Sequence, residues 1–475
     1  MDFTTLLFLF AFLPSFIFLW LVVKAEYRLV LIFILNFGFI LIGQSTSLLP
    51  LVLIAVIGYG IGRTLDSMNA QGKNTSLLMW IGICLAVLLL IGQKILVGYD
   101  LNGNPGKSSS LLDIFPLLGM SYITFQIISY IVDVSRGIIS SEHNVFKFIS
   151  YVLFFPKIVS GPIMRYKPFE LQFSNLSPTW DKTAMGLRRV LIGVVKRLLL
   201  ANQLGVVADA VFNLQTPNIG PLFAWLALIA YTFQIYFDFS GYTDIALGLG
   251  GIIGITLPEN FNYPYTAQSI SDFWRRWHIT LSSWFREYVF YPLERRRTIF
   301  NGQKTNLFIV FLLTGLWHGL TLNYLMWGGI HGLAIVSESA SSWQKSIWRP
   351  LRHITTFLVI MFGWVFFRSP TLEFAFAFIG RLFGNEKGIS LQAFSQTTPL
   401  PFIEPSFLVL LAIAALFSMP IVNVWTKIRQ HFENINQMYL IPFQVFEDAI
   451  VVVLFLLSVG SQLSGSFHPS IYATF

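Results

Sequence analysis

The sequence has little charge and almost no cysteine. Of its 475 residues, 11% are charged and 55% are hydrophobic, whereas about a quarter of the residues of a soluble domain are charged. This composition excludes a soluble enzyme. The single cysteine, Cys84, lies in an apolar run, which excludes an internal disulfide and a cysteine-based zinc or iron–sulfur site. We expect no bound metal and no bound cofactor.

Motifs of several soluble enzyme classes are also absent. Neither Gly-x-Ser-x-Gly nor His-Glu-x-x-His occurs, so nothing local supports a serine hydrolase or a zinc protease. Gly106-Lys107-Ser108 resembles the end of a phosphate loop, but Leu101 stands where that loop needs a glycine. In a chain this apolar, the net charge of +8 indicates membrane topology rather than nucleic-acid binding. No nucleic-acid partner is expected.

Long apolar segments recur along the chain. The first, from Thr4 to Val23, follows no basic region and is long enough to cross a bilayer, so we interpret it as a retained helix and not a signal peptide. Several later segments are shorter than the ~20 residues that a crossing needs, which predicts an all-α polytopic membrane protein with about 11–13 spanning or re-entrant helices. The later segments lie near residues 28–43, 48–62, 77–93, 111–132, 148–164, 186–206, 219–239, 306–320, 322–337, 353–367, 406–425 and 446–460.

The positions of basic residues predict the topology. Short cytoplasmic loops carry an excess of lysine and arginine, and such residues follow the first, third and fifth segments: Lys24 and Arg28, Arg63 and Lys73, Arg136 and Lys147. The N-terminus should therefore face outside, and the cluster from Arg295 to Lys304 should face the cytoplasm. No fixed-period repeat and no linker occurs, so residues 1–475 are predicted to form a single domain.

Two acids stand between apolar runs. Asp238 and Asp244 precede a glycine-rich stretch at 248–254. Ionisable groups at membrane depth are candidates for function. They could equally pair with neighbouring arginines while the glycines allow close helix packing, and both interpretations stay open.

The stretch from Ser271 to Arg286 has the spacing of an amphipathic helix. Ser269 is a candidate cap, and Trp274, His278, Leu281 and Phe285 fall on one helical face. His278 would then lie on an aromatic stripe, either hydrogen-bonded in the core or functional. Arg275 and Arg276 could reach lipid phosphates or hold an anionic acyl donor.

Two further histidines lie in apolar contexts. His318, within Gly315–Gly319, could be a general base or a helix-packing residue. His331 would share a site with His318 only if the chain breaks between them, as Gly319 and Asn323 permit. The remaining histidines are predicted to be surface residues: His143, His353, His431 and His468.

These stretches together resemble the membrane-bound O-acyltransferase superfamily, in particular its bacterial branch of alginate O-acetylases and related cell-wall and exopolysaccharide acetyltransferases. The resemblance covers residues 115–335, and the ends of the chain match in hydropathy alone. It runs in order through residues 119–133, 155–166, 237–244, 260–264, 272–286 and 316–319.

The resemblance implies an all-helical bundle around a buried central site. It implies that His318 is catalytic and that His278 is the second functional histidine. The acyl donor, acetyl-CoA or a carrier-bound thioester, would come from the cytoplasm, and a polysaccharide hydroxyl outside would accept the group. We expect His318 to act as the base, with His278, Trp277 or backbone N–H groups polarising the thioester carbonyl. The expected substrate-binding residues are Arg276, Asp244, Trp277 and His331.

The resemblance also implies a multi-pass protein of the bacterial inner membrane, surrounded by lipid, with an extracellular SGNH-type acetyltransferase as partner. D-alanyl transfer to teichoic acids, performed by a sister branch, is the alternative within the enzyme class. A transporter would also use broken helices with buried Asp and His, but the glycine-interrupted acidic segment occurs once, without a paired half. A scaffold of a polysaccharide export complex would not need two histidines in apolar segments.

Overall fold

The computed structural model describes residues 2–98, 119–173, 176, 179–295, 302–340, 347–384, 405–421, 425, 427, 429 and 440–464. Within these ranges the chain forms helices and no strand. Together with the long apolar helices given below, this confirms the predicted all-α polytopic architecture.

The helices are numbered here in chain order. The N-terminal half contains α1 Phe8–Val22, α2 Arg28–Ala70, α3 Ser76–Gly98, α4 Met120–Ser135, α5 Val145–Val152, α6 Tyr166–Phe173, α7 Trp180–Phe212 and α8 Pro221–Ile253. The C-terminal half contains α9 Ile270–Arg276, α10 Ile279–Phe285, α11 Tyr291–Arg295, α12 Gln303–His318, α13 Leu322–Ala340, α14 Arg349–Arg368, α15 Leu372–Phe383, α16 Pro405–Phe417 and α17 Leu440–Leu463.

Six of the described helices are long and apolar enough to cross a membrane, namely α2, α3, α7, α8, α14 and α17. Two further apolar helices, α1 and α16, are shorter. The segments expected at 28–43 and 48–62 correspond to two helical stretches of α2, which a kink divides at Gln44, where φ is −159° and ψ is 82°. The predicted number of crossings stays a prediction.

The segment expected at 148–164 is helical only as far as Val152. The chain from Leu153 to Arg165 is not helical, yet most of it is buried. Its carbonyl group at Ile158 lies where a side chain on Gly119 would stand, so Gly119, at a φ of +67°, must lack a Cβ. A buried, non-helical segment is consistent with the expectation that some segments are re-entrant.

The chain divides into two compact units. The first comprises the described residues up to Val190 together with Tyr242–Glu259, and the second comprises Leu191–Gly241 and the described residues from Asn260 onward. In the first unit, α4 packs against α2 and α3 and is buried along its length.

In the second unit, α12 and α13 pack along one another. Glycines permit this close approach: a Cβ at Gly315 would lie 2.3 Å from the Tyr324 carbonyl oxygen, and a Cβ at Gly328 would lie 2.4 Å from that of Phe311. The short helices α9 and α10 each have seven residues and do not approach the length of a membrane span. Of the three buried histidines among the described residues, His318 and His331 lie on α12 and α13, and His278 lies between α9 and α10.

Candidate active site

The helix predicted across Ser271–Arg286 is interrupted. Ser269 caps its start as expected, since its Oγ accepts a hydrogen bond from the Asp272 amide at 2.9 Å. However, α9 ends at Arg276, and His278 adopts the left-handed conformation with φ 45° and ψ 52°. The prediction that His278 continues a helical aromatic stripe is therefore wrong.

Tertiary hydrogen bonds explain the break. The Ile279 amide donates to the Asn260 carbonyl oxygen at 3.0 Å, and the Thr280 amide donates to Asn260 Oδ1 at 3.1 Å. On the other side of the break, the Asn262 amide donates to the Arg276 carbonyl oxygen at 2.9 Å. Because these bonds satisfy backbone groups that a continuous helix would pair internally, the chain turns at His278 without leaving them unpaired.

His278 is buried, with 1% of its surface exposed. Its Nδ1 lies 3.2 Å from Asn260 Oδ1, and the edge of its ring meets Phe239 at a centroid distance of 4.8 Å. Burial lowers the pKa of His278 to about 3, so the ring is neutral at physiological pH.

His318 is the last residue of α12 and is also buried. Its ring lies 4.5 Å from Trp317, 5.1 Å from Trp327 and 5.0 Å from Phe367, measured between centroids. The negative end of a helix dipole stabilises a cation at this position. His318 therefore lies at the helix end, enclosed by aromatic rings, directly before the break that precedes α13.

The indole of Trp317 connects the two predicted functional histidines. It contacts His318 directly and lies 6.2 Å from the His278 ring centroid. The structure thus brings His278 and His318 to the same tryptophan although 40 residues separate them in the sequence.

His331 belongs to the same aromatic cluster. The chain is not helical between His318 and Leu322, as the expected break required, and both His318 and His331 contact Trp327, the latter at 5.2 Å. The indole N–H of Trp274 donates to His331 Nδ1 at 3.4 Å. An indole can only donate, so the proton of neutral His331 is on Nε2, which is buried and has no hydrogen-bond partner among the described residues.

Trp277 lies beside the break and is buried in aromatic packing. Its ring stacks on Phe273 at 5.5 Å and contacts Trp364 at 5.1 Å. Trp277 also meets Phe239, the ring that the edge of His278 contacts.

The two arginines of α9 differ in exposure. Arg276 Nε pairs with Asp272 Oδ2 at 3.0 Å, and its Nη1 donates to the Asn262 carbonyl oxygen at 3.4 Å. Arg275 is 67% exposed and lies 3.7 Å from Asp272. Arg276 thus connects α9 to the loop that begins at Asn260, whereas Arg275 faces outward.

Both acids of the apolar stretch pair with arginine, as one of the two interpretations expected. In the first unit, Asp244 accepts from Arg189 Nε at 3.0 Å, and Arg189 also binds both carboxylate oxygens of Glu259. In the second unit, buried Asp238 pairs at 3.1 Å with buried Arg197, which lies in a π-helical turn of α7.

Asn260 is a residue of the site whose role the sequence did not indicate. It is fully buried, and its side-chain oxygen accepts hydrogen bonds from Thr280 as well as facing His278. The sequence offered one signal: Asn260 stands directly before residues 261–265, three of which are aromatic. A buried amide needs hydrogen-bond partners, but the sequence does not say which.

The fold and site define a polytopic helical membrane protein in which buried imidazoles gather in one aromatic cluster. Residues 68–369, which include the three buried histidines, match the family model described as "MBOAT, membrane-bound O-acyltransferase family". The chain belongs to the membrane-bound O-acyltransferase family, as its motifs predicted, and is an O-acyltransferase.

Curated relatives agree with the branch predicted. The "Probable alginate O-acetylase AlgI" of Pseudomonas aeruginosa is 36% identical over 398 residues, covering 81% of this chain and 75% of the relative. The "Peptidoglycan O-acetyltransferase" of Helicobacter pylori is 38% identical over 51% of this chain and 47% of its own length. The "Teichoic acid D-alanyltransferase" of Bacillus subtilis is 32% identical over 52% of this chain and 66% of its own length.

Proposed function

We propose that this enzyme transfers acetyl groups to hydroxyls of an exopolysaccharide or a cell-wall glycan of the alginate or peptidoglycan type. The alginate O-acetylase relative supports this most, because its similarity extends over 81% of the chain. The observation that carries the proposal is the placement of two buried histidines, His278 and His318, against one indole ring.

The donor in this proposal is a cytoplasmic thioester, either acetyl-CoA or an acyl group on a carrier protein. A thioester carbonyl is a good electrophile that a buried site can protect from hydrolysis. We place the enzyme in the bacterial inner membrane, with the acyl group passing to the glycan directly or through an extracellular SGNH-type transferase. A candidate contact for an anionic donor is the pair Arg275 and Arg276.

His318 is the proposed base. As the acceptor hydroxyl attacks the thioester carbonyl carbon, its proton passes to the imidazole of His318 and a C–O bond forms. The carbonyl electrons move to oxygen, where N–H donors stabilise the charge. Collapse of this intermediate breaks the C–S bond, and the departing thiolate takes the proton from His318. The reaction leaves an O-ester, a thiol and an unchanged imidazole.

Nε2–H of His331 is a candidate donor to the developing oxyanion. This buried N–H has no hydrogen-bond partner among the described residues. The rings of His331 and His318 both contact Trp327. Trp277 is a component of the aromatic wall that excludes water from the thioester. Both assignments are proposals that His331→Phe and Trp277→Phe would examine.

The experiment that tests the function identifies the acyl group. Cells expressing the wild type and cells lacking the protein are compared, and surface polysaccharide is treated with mild base. Released acetate that depends on the protein supports O-acetylation. Released D-alanine would instead favour D-alanyl transfer to teichoic acids, the alternative to which the relative of 32% identity points. Release of neither, with the protein present in the membrane, contradicts both.

A further inference from the structure

The hydrogen bonds of Asn260 determine which nitrogen of His278 carries the proton. Asn260 Oδ1 accepts from the Thr280 amide at 3.1 Å and from the Thr280 hydroxyl at 2.8 Å. A backbone N–H can only donate. The atom that faces it must therefore be the side-chain oxygen of Asn260, not its nitrogen.

The same oxygen faces His278 Nδ1 at 3.2 Å. Since an amide oxygen cannot donate, His278 Nδ1 must carry the proton and donate to it. A neutral imidazole has one proton, and burial keeps His278 neutral. The lone pair of His278 is therefore on Nε2.

The backbone of His278 requires this support. Among described residues other than glycine, positive φ occurs at two positions, Tyr263 and His278, both at 45°. Such conformations cost on the order of 1–3 kcal/mol and persist where surrounding contacts enforce them, often at functional sites. Asn260 supplies those contacts at His278 through its carbonyl oxygen to Ile279 and its side chain to Thr280.

We propose that Asn260 is the positioning residue of the active site: it fixes His278 as the tautomer protonated at Nδ1, so that in acyl transfer Nε2 of this ring can accept a proton or a hydrogen bond but cannot donate one. This inference rests on the proposed function, and it narrows the role that His278 can have in acyl transfer. His278 in this tautomer cannot polarise the thioester carbonyl through Nε2, because that atom has no proton to donate. Carbonyl polarisation then falls to other N–H groups, such as that of His331.

The first test reads the tautomer without any assay of activity. The full-length protein is labelled with ¹⁵N-histidine in lipid nanodiscs, and the His278 signals are assigned by their loss in His278→Gln. The expected spectrum shows a neutral ring protonated at Nδ1 in the wild type and in Asn260→Asp, which keeps the acceptor, and loss of that preference in Asn260→Ala. A wild-type His278 protonated at Nε2 would overturn the inference even if the enzyme acetylates glycan.

The second test reads acetylation and its pH dependence. Asn260→Ala should lower the rate at saturating donor by about 10²-fold, in the range typical of misplaced proton-transfer groups. Asn260→Asp should restore much of this rate, and its carboxylate should raise the pKa of His278. The acidic limb of its pH profile should then move to higher pH, because the ring becomes protonated and loses its lone pair sooner.

The matched control is Asn262→Ala. It removes an exposed side-chain amide two residues from Asn260 and keeps the backbone N–H of residue 262, so this variant should retain wild-type activity. Equal membrane levels of all variants exclude loss of folding. If Asn260→Ala acetylated normally, or if Asn260→Asp failed to shift the profile, Asn260 would be a structural residue only. If the wild type transferred no acyl group while the tautomer was as expected, the proposed function would fail and the assignment of the His278 proton would stand.

Discussion

Replacement of His318 separates a catalytic role from a packing role. A positioned base contributes about 10²- to 10⁴-fold in rate, which corresponds to about 3–5 kcal/mol. The position of His318 at the end of α12 accounts for little of this, because a helix terminus stabilises a cation by about 0.3–1 kcal/mol. Uptake of the proton itself must supply the rest.

His318→Gln is the decisive variant. His318 is enclosed by Trp317, Trp327 and Phe367, so His318→Ala would leave a cavity that destabilises the fold as well as removing the base. Glutamine fills a similar volume and keeps hydrogen bonding but cannot take up a proton. We expect both variants to lose detectable acetylation, and the glutamine variant to keep its normal level in the membrane.

The assay measures base-labile acetate on the polysaccharide together with the amount of protein in isolated membranes. His353→Gln is the matched control, because the same substitution there affects a half-buried histidine on α14 that contacts the Ala267 carbonyl oxygen. It should acetylate normally. Full acetylation by His318→Gln at normal protein level would refute the assignment of His318 as the base.

Two further predictions concern the donor and the topology. Arg276→Ala should raise the apparent KM for an anionic donor and leave turnover at saturation nearly unchanged. Arg275→Ala, at the exposed neighbouring arginine, is the comparison. Reduced turnover with an unchanged KM would contradict a role of Arg276 in donor binding. Thr298→Cys, which lies outside the described residues, should resist an impermeant thiol reagent in intact cells and react in opened cells. The background for that experiment is Cys84→Ser, because Cys84 is exposed, and labelling of intact cells would show that the loop faces outside.

The sequence predicted those features that depend on local chemistry. Ser269 caps α9, and Gly319 lies at the interruption that allows His318 and His331 to meet Trp327. The break within the segment expected at 148–164 was not predicted, although Gly161 and its neighbouring prolines stand where the chain is not helical. In each case the residue that determines the backbone is within a few positions of the change.

The break at His278 could not be predicted in this way. The spacing of Trp274, His278, Leu281 and Phe285 satisfies a continuous helix, and no glycine or proline interrupts it. The determinant is Asn260, which stands 18 residues earlier and accepts hydrogen bonds from the backbone N–H groups of Ile279 and Thr280. Periodicity contains no information about a hydrogen bond from another segment, because it records only which face of a helix is apolar.

The breaks in the two helical segments place His318 and His278 in different backbone settings. His318 lies at the C-terminal end of a sixteen-residue helix. His278 lies between two short helices, and burial lowers its pKa to about 3. A neutral imidazole that carries its proton on Nδ1 offers a lone pair at Nε2 and no proton there. Under the proposed function His318 transfers the proton and His278 offers an acceptor nitrogen, and the rings of both histidines pack against Trp317.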